Sequence, residues 1–252
     1  MFKPAALLAL GLALSSPAAA ADIKVLTTGA YKPVVTALVP LFEKDTGHKV
    51  TVDNDTAGAL VRRVEGGEAF DVLILTPAAL TDLAKKGRVA ADPAPLGLAK
   101  VGIGVAVKKG TRAPDISTTA AFRQALLDAP KVAMIDPAAG GSSGIYLAGL
   151  FEKWGIADII KAKAVLVPGG LVATRVVDGQ ADIAIHQVSE ILAVKDAVLV
   201  GPLPADIQNY TVYAGAVSPT TKVGDDARNF LTTLWGPESA SVLEQKGMLP
   251  VN

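Results

Sequence analysis

Histidine occurs twice in this sequence and cysteine not at all, so the chain has few groups suited to proton transfer near neutrality. His186 stands in Ile185-His186-Gln187-Val188-Ser189-Glu190, at the end of an apolar run that reads as a buried strand. A hydrogen-bonded strand-end histidine is preferred over a catalytic base, with ligand contact as the intermediate case. His48, beside Gly47 in a turn, reads as surface. More suggestive are four turns of small residues: Thr27-Thr28-Gly29-Ala30, Thr56-Ala57-Gly58, Gly140-Gly141-Ser142-Ser143-Gly144 and Gly169-Gly170. Small residues let a ligand reach the backbone, and N–H groups at a helix start attract an anion. Any one of these turns is explained by ordinary capping. Four in one chain point to a shared anion site.

Other residues offer less. Arg62 and Arg63 follow the second turn and Arg175 lies further on; each suits a carboxylate ligand and equally suits a solvated helix face. Tyr146 and Trp154 are spaced for packing, whereas Tyr213 falls in an expected lobe-crossing strand and is the better cleft candidate. Several sharper motifs are absent. Gly102-x-Gly104 lacks a third glycine and a following helix, the loop at 140–144 lacks a Gly-Lys-Ser/Thr ending, and no Gly-x-Ser-x-Gly occurs. With two histidines and no cysteine, no metal site of usual zinc composition is expected, and nothing demands a cofactor.

The elements that must position these turns alternate. Short β-branched runs at Ile23–Leu26, Lys49–Val52, Asp71–Leu75, Val101–Val107, Val132–Ile135, Ala164–Val167, Asp182–Ile185, Ala197–Val200 and Thr211–Val217 read as strands. Between them lie amphipathic stretches such as Pro33–Lys44, Gly58–Glu65, Pro77–Lys86, Thr118–Asp128 (N-capped by Ser117), Ser143–Trp154 and Gly170–Val177. Helices Asp225–Trp235 and Glu238–Gln245 close the chain. Such alternation predicts α/β architecture with parallel sheets covered on both faces. About nine strands exceed one comfortable sheet, so two doubly wound lobes are expected, joined by strands crossing near Ala99–Lys108 and Gln208–Gly215. The division reads as residues 22–100 with 214–252 for one lobe and 101–213 for the other.

Composition narrows the function. The 252 residues are 50% hydrophobic with mean hydropathy +0.40, which excludes disorder. Basic and acidic residues balance at 24 each, without the excess or stripe that phosphate binding uses, so no nucleic-acid partner is expected. Residues 1–21, MFKPAALLALGLALSSPAAAA, pair basic Lys3 with the apolar run Ala5–Leu14 and small Ala18-Ala19-Ala20. This is a signal-peptide pattern, too short to span a bilayer. An exported, soluble protein of the periplasm, monomeric and not membrane-embedded, is expected.

These features together resemble the periplasmic solute-binding proteins of ABC importers, in the branch of the molybdate-binding proteins. The likeness runs from Ile23 to about Val251. It is carried by the opening strand and turn before Tyr31, Phe42-Glu43-Lys44-x-x-Gly47, Ala69-Phe70-Asp71-Val72, Ser143-Gly144-Ile145-Tyr146 and Gly247-Met248-Leu249-Pro250. It implies two lobes hinged by two strands and closing on a ligand, with an ABC permease as partner. Ligand contacts are then expected from Thr28, Gly29, Ala30, Thr56, Ala57, Gly58, Arg62, Ser142, Ser143, Gly144, Gly170, Gln187 and Tyr213. Molybdate binders carry serines in the first two turns and a tyrosine further on; those positions are Ala30, Ala57 and Gln187 here. A small organic anion is therefore favoured over molybdate.

The chain is also similar to periplasmic aconitate isomerase at Ala113-Pro114-Asp115-Ile116-Ser117, Gln187-x-Ser189-Glu190-x-x-Ala193-Val194 and Tyr213-x-Gly215-Ala216. That likeness implies a second reading, interconversion of cis- and trans-aconitate by moving a proton along the allylic system. His186, Glu190 and Tyr213 are then the candidate acid–base groups, with His186 first. Of the two readings, anion capture without turnover is preferred.

Overall fold

The computed structural model describes residues 20–251. Of the segment read as a signal peptide, residues 1–19 lie outside them. The chain begins with β1 (Asp22–Thr28), α1 (Lys32–Thr46), β2 (Lys49–Asp55), α2 (Ala57–Glu65), β3 (Val72–Leu75) and α3 (Pro77–Lys85). In β3 all four apolar residues are buried, as expected for a strand covered on both faces. β1 pairs in parallel with both β2 and β3. This is the βαβαβ half of a doubly wound sheet.

The long strand β4 (Leu96–Lys108) then leaves that half. It leads to α4 (Thr119–Asp128), β5 (Val132–Ile135), α5 (Ser142–Lys153), α6 (Ala157–Lys161) and β6 (Ala164–Val167). Next come α7 (Thr174–Val177), β7 (Ile183–Gln187), α8 (Val188–Ile191) and β8 (Ala197–Pro202). β5 runs parallel to β6 and β7. The chain returns as β9 (Tyr210–Val217) and ends with α9 (Gly224–Trp235), α10 (Pro237–Gln245) and β10 (Leu249–Pro250).

One strand belongs to both sheets. β4 pairs antiparallel with β9 from Leu96 to Gly102, then with β7 from Ile103 to Ala106. At the change of sheet the Gln208 amide clamps the backbone: Ile103 N–H donates to Oε1 at 2.8 Å, and Nε2 donates to the Ile103 carbonyl at 2.9 Å. A side chain on Gly102 would meet that amide at 3.1 Å. Strand pairing alone puts the strands of 22–102 and 210–251 in the first sheet and those of 103–209 in the second. The sequence had suggested divisions at 100/101 and 213/214. Each sheet carries apolar clusters on both faces, for example Phe42 and Phe230 against one face of the first and Leu60 and Leu80 against the other. The architecture is the two-lobed α/β fold expected, with antiparallel crossing strands added to the parallel cores.

Local expectations were corrected in places. Thr118, not Ser117, caps α4, its hydroxyl accepting from Ala121 N–H at 3.1 Å. The helix expected from Gly170 starts only at Thr174, because Gly170 takes a left-handed φ of +83°. His48 is not surface: it is buried under the ring of Phe42.

Candidate functional site

The four small-residue turns converge. Thr28, Gly29 and Ala30 at the end of β1, and Asn54 to Ala57 from the end of β2 into the start of α2, face Gly141, Ser142 and Ser143 at the start of α5 and Gly170 before α7. Ile135 of β5, His186 and Gln187 of β7, Glu190 of α8 and Tyr213 of β9 complete the lining. The cleft is nearly shut: about 40 Å3 is open to the centre of a water molecule. Direct bonds hold the lobes together beside it. Thr56 Oγ1 donates to the Ala139 carbonyl at 2.5 Å, Gly58 N–H donates to the Gly140 carbonyl at 3.1 Å, and Ser189 Oγ donates to the Ala30 carbonyl at 2.7 Å.

The helix starts differ in how they are finished. The α2 start is capped by Thr56, whose hydroxyl also accepts from Ala59 N–H at 3.2 Å. The α5 start has Gly141 at its cap position, no side-chain cap and no acidic residue in its first turn. First-turn N–H groups have no carbonyl inside their own helix, so those of α5 stand open towards the cleft and favour a negative ligand.

Side chains repeat that pattern. Among the described residues three buried side-chain polar atoms lack a hydrogen-bond partner: Thr28 Oγ1, His186 Nδ1 and Gln187 Oε1. All three residues line the cleft. Buried polar atoms are normally satisfied, so this concentration singles the cleft out as the place where polar groups are left over. Gln187 Nε2 is spent on Thr211 Oγ1 at 2.9 Å, which fixes the amide.

Across this space lies a buried pair. His186 Nε2 is 3.2 Å from Glu190 Oε2, and both side chains are more than nine-tenths buried. Glu190 Oε1 lies so close to Gly29 that a β-carbon there would sit 2.5 Å away and displace the carboxyl group. Burial without a cation in contact penalises charge on both groups. It pushes Glu190 up to about 8 and His186 down to about 3. At neutral pH the proton therefore rests on Glu190, His186 accepts it at Nε2, and the imidazole N–H sits at the unpartnered Nδ1. Tyr213 is also raised, by its burial, and stays protonated.

Of the residues singled out from sequence, Thr28, Gly29, Ala30, Thr56, Ala57, Ser142, Ser143, Gly170, His186, Gln187, Glu190 and Tyr213 all line the cleft. Gly58 sits at the contact between the lobes, and Gly144 is buried against the Ile135 carbonyl within α5. Arg62 is exposed and does not line the cleft. Arg63 turns to Asp53, Asp55 and Glu68, and Arg175 to Gln180 at 2.9 Å. Tyr146 donates to the Ile207 carbonyl at 2.5 Å. Sequence reasoning passed over Asn54, Asp55 and Ile135, and named Gly141 only as part of its turn; the first two precede the Thr56 turn directly, at the carboxyl end of β2 where ligands sit in such sheets. The lining holds no lysine or arginine, so the donors it offers are N–H and O–H groups. No group of three or more His, Cys, Asp or Glu able to hold a metal occurs among the described residues.

The sequence profile of bacterial extracellular solute-binding proteins matches residues 23–249. The chain belongs to that family. A family relative, the aconitate isomerase of a Pseudomonas species, is 34% identical, with the alignment covering 100% of this chain and 98% of the isomerase. The Azotobacter vinelandii periplasmic molybdate-binding protein superposes with a TM-score of 0.76 at 18% identity, covering 91% of this chain and 100% of that one. The sulfate-binding protein of Mycobacterium tuberculosis gives 0.69 at 20%, covering 92% and 88%. The fold of the family thus recurs in proteins named for inorganic anions, and a relative of much higher identity is named for an isomerase. Among the described residues no helix is long and apolar enough to cross a membrane.

Proposed function

We propose that the cleft binds a small unsaturated polycarboxylate and interconverts cis- and trans-aconitate. The observation that carries this reading is the buried His186–Glu190 pair inside an anion cleft. A carboxylate there would repel an anionic ligand, whereas a carboxyl group that holds and releases a proton serves allylic chemistry. Ala30 and Ala57, where molybdate binders carry serines, remove two hydroxyls that an oxyanion would use. The 34% identity to an aconitate isomerase supports the same substrate class.

In this mechanism the base is the ionised minority of Glu190 that a pKa of about 8 leaves at neutral pH, its carboxylate oriented by His186. It removes a proton from the methylene carbon of trans-aconitate, and the electron pair spreads over the allylic carbons into the neighbouring carboxylate. N–H groups at the start of α5, with the Thr28 and Tyr213 hydroxyls, stabilise that developing charge. The proton returns to the far allylic carbon, giving the cis isomer with no change of formula. Glu190 replaces His186 as the first-choice base, because its pKa lies nearer the working pH.

Family membership favours a second reading, in which the closed protein holds its anion in the periplasm for an ABC permease without chemistry. One experiment separates them. Purified protein incubated with trans-aconitate in D2O is expected to yield cis-aconitate carrying deuterium. Tight calorimetric binding with no conversion at high protein concentration overturns the isomerase reading and leaves capture.

A further inference from the structure

The two lobes touch backbone to backbone at one point beside the cleft. A β-carbon on Gly58 would lie 2.8 Å from Gly140 Cα, and one on Gly140 would lie 2.7 Å from Gly58 Cα. The atoms met are backbone, so no flexible side chain can give way. The same point carries the Gly58 N–H to Gly140 carbonyl bond at 3.1 Å, and Thr56 Oγ1 binds the adjoining Ala139 carbonyl. Gly140 also needs glycine for its own backbone, with φ at +82°. Gly58 does not: it lies in the first turn of α2 and is not among the residues of positive φ. Glycine inside a helix lowers stability relative to alanine. At Gly58 the requirement therefore comes from the other lobe.

We propose that Gly58 and Gly140 form a backbone stop that sets how far the lobes close. The stop positions the start of α5 against the β1 and β2 corners. It limits the size of ligand the closed cleft accepts. Both glycines act by position and touch neither the reacting carbons nor the acid–base pair. The stop rests on the cleft being the ligand site and is independent of whether that ligand is turned over.

The test uses G58A, with G149A as control, because Gly149 is a helical glycine on α5 whose β-carbon would meet nothing. Both variants are expected to melt at or above the wild-type temperature. In G58A the KM for trans-aconitate should rise at least tenfold and kcat should fall, while G149A matches wild type. The amide of residue 58 has no acceptor within α2, so its hydrogen exchange reads the contact itself. Wild type should protect it, more so with trans-aconitate present, and G58A should lose that protection at least tenfold. Wild-type exchange at residue 58 as fast as in G58A, or full protection and undiminished affinity in G58A, overturns the stop. Absence of turnover and binding in wild type overturns the proposed substrate instead, and the exchange measured without ligand still decides the stop.

Discussion

Both histidines of this chain are buried, and their surroundings differ in what is left over. His48 is complete: Nδ1 accepts from Ala21 N–H at 3.0 Å, and Nε2 reaches Asp226 Oδ1 at 3.2 Å, a carboxylate partly open to water. His186 meets a carboxyl sealed from water and keeps one nitrogen unpartnered. A satisfied imidazole ties an N-terminal strand to a helix. An unsatisfied one, paired to a buried acid in a cleft, is left with bonding capacity that the fold does not use. Residue type alone does not separate the two; the count of unmet bonds does.

The sharpest way to break this contrast is Glu190→Gln. The amide keeps shape and hydrogen bonding but cannot act as base, so kcat for trans-aconitate should fall by about three orders of magnitude. Folding should be retained, since a buried group with a raised pKa contributes little to stability in its ionised form. Progress curves followed by separation of the two isomers check the first expectation, and chemical denaturation the second. His186→Gln should cost less, about one to two orders of magnitude, because Glu190 remains. Its signature is a displaced acidic or basic limb in the pH–rate profile. A profile unchanged in shape would reduce His186 to packing.

His48→Ala should do the opposite. Two hydrogen bonds and the contact with Phe42 are lost, a cost of about 1–3 kcal/mol in unfolding free energy. Turnover per folded molecule should stay at the wild-type value. A large fall in kcat in well-folded H48A would erase the distinction between the two sites.

The corners of the cleft were legible in the sequence because four small-residue turns recur in one chain, although capping alone would explain any one of them. The two-lobed architecture followed in the same way from the strand–helix alternation. What sequence could not display was environment. Arg62 follows the Thr56 turn on α2 and Gly144 shares a turn with Ser142 and Ser143, but the helix phase sends one to solvent and the other into the core. His48 beside Gly47 looked like a turn residue, and only the packing of α9 over α1 buries it. The protonation of Glu190 depends on burial of α8 against β4, β7, β8 and the turn after β1 at once, which no window of sequence contains. The short α6 and β10 were missed because five and two residues carry too little periodicity to read.

The smallest expected effect is also the most specific to the buried pair. Glu190 rises from 4.5 to about 8 on folding, so the folded protein holds an extra proton across that range and its stability falls as pH climbs through it. His186 drops from 6.5 to about 3, so the unfolded chain holds the extra proton there and stability falls as pH descends. Between 4.5 and 6.5 the two slopes cancel, leaving a plateau. Above 6.5 only the Glu190 slope remains, worth at most about 2 kcal/mol by pH 8. Denaturation at pH 6.5 and pH 8 should show that loss in wild type and in H48A, and should not show it in E190Q. Equal losses in E190Q would mean that the alkaline slope belongs to other groups and that Glu190 is already ionised in the fold, which removes the physical basis for setting His186 apart from His48.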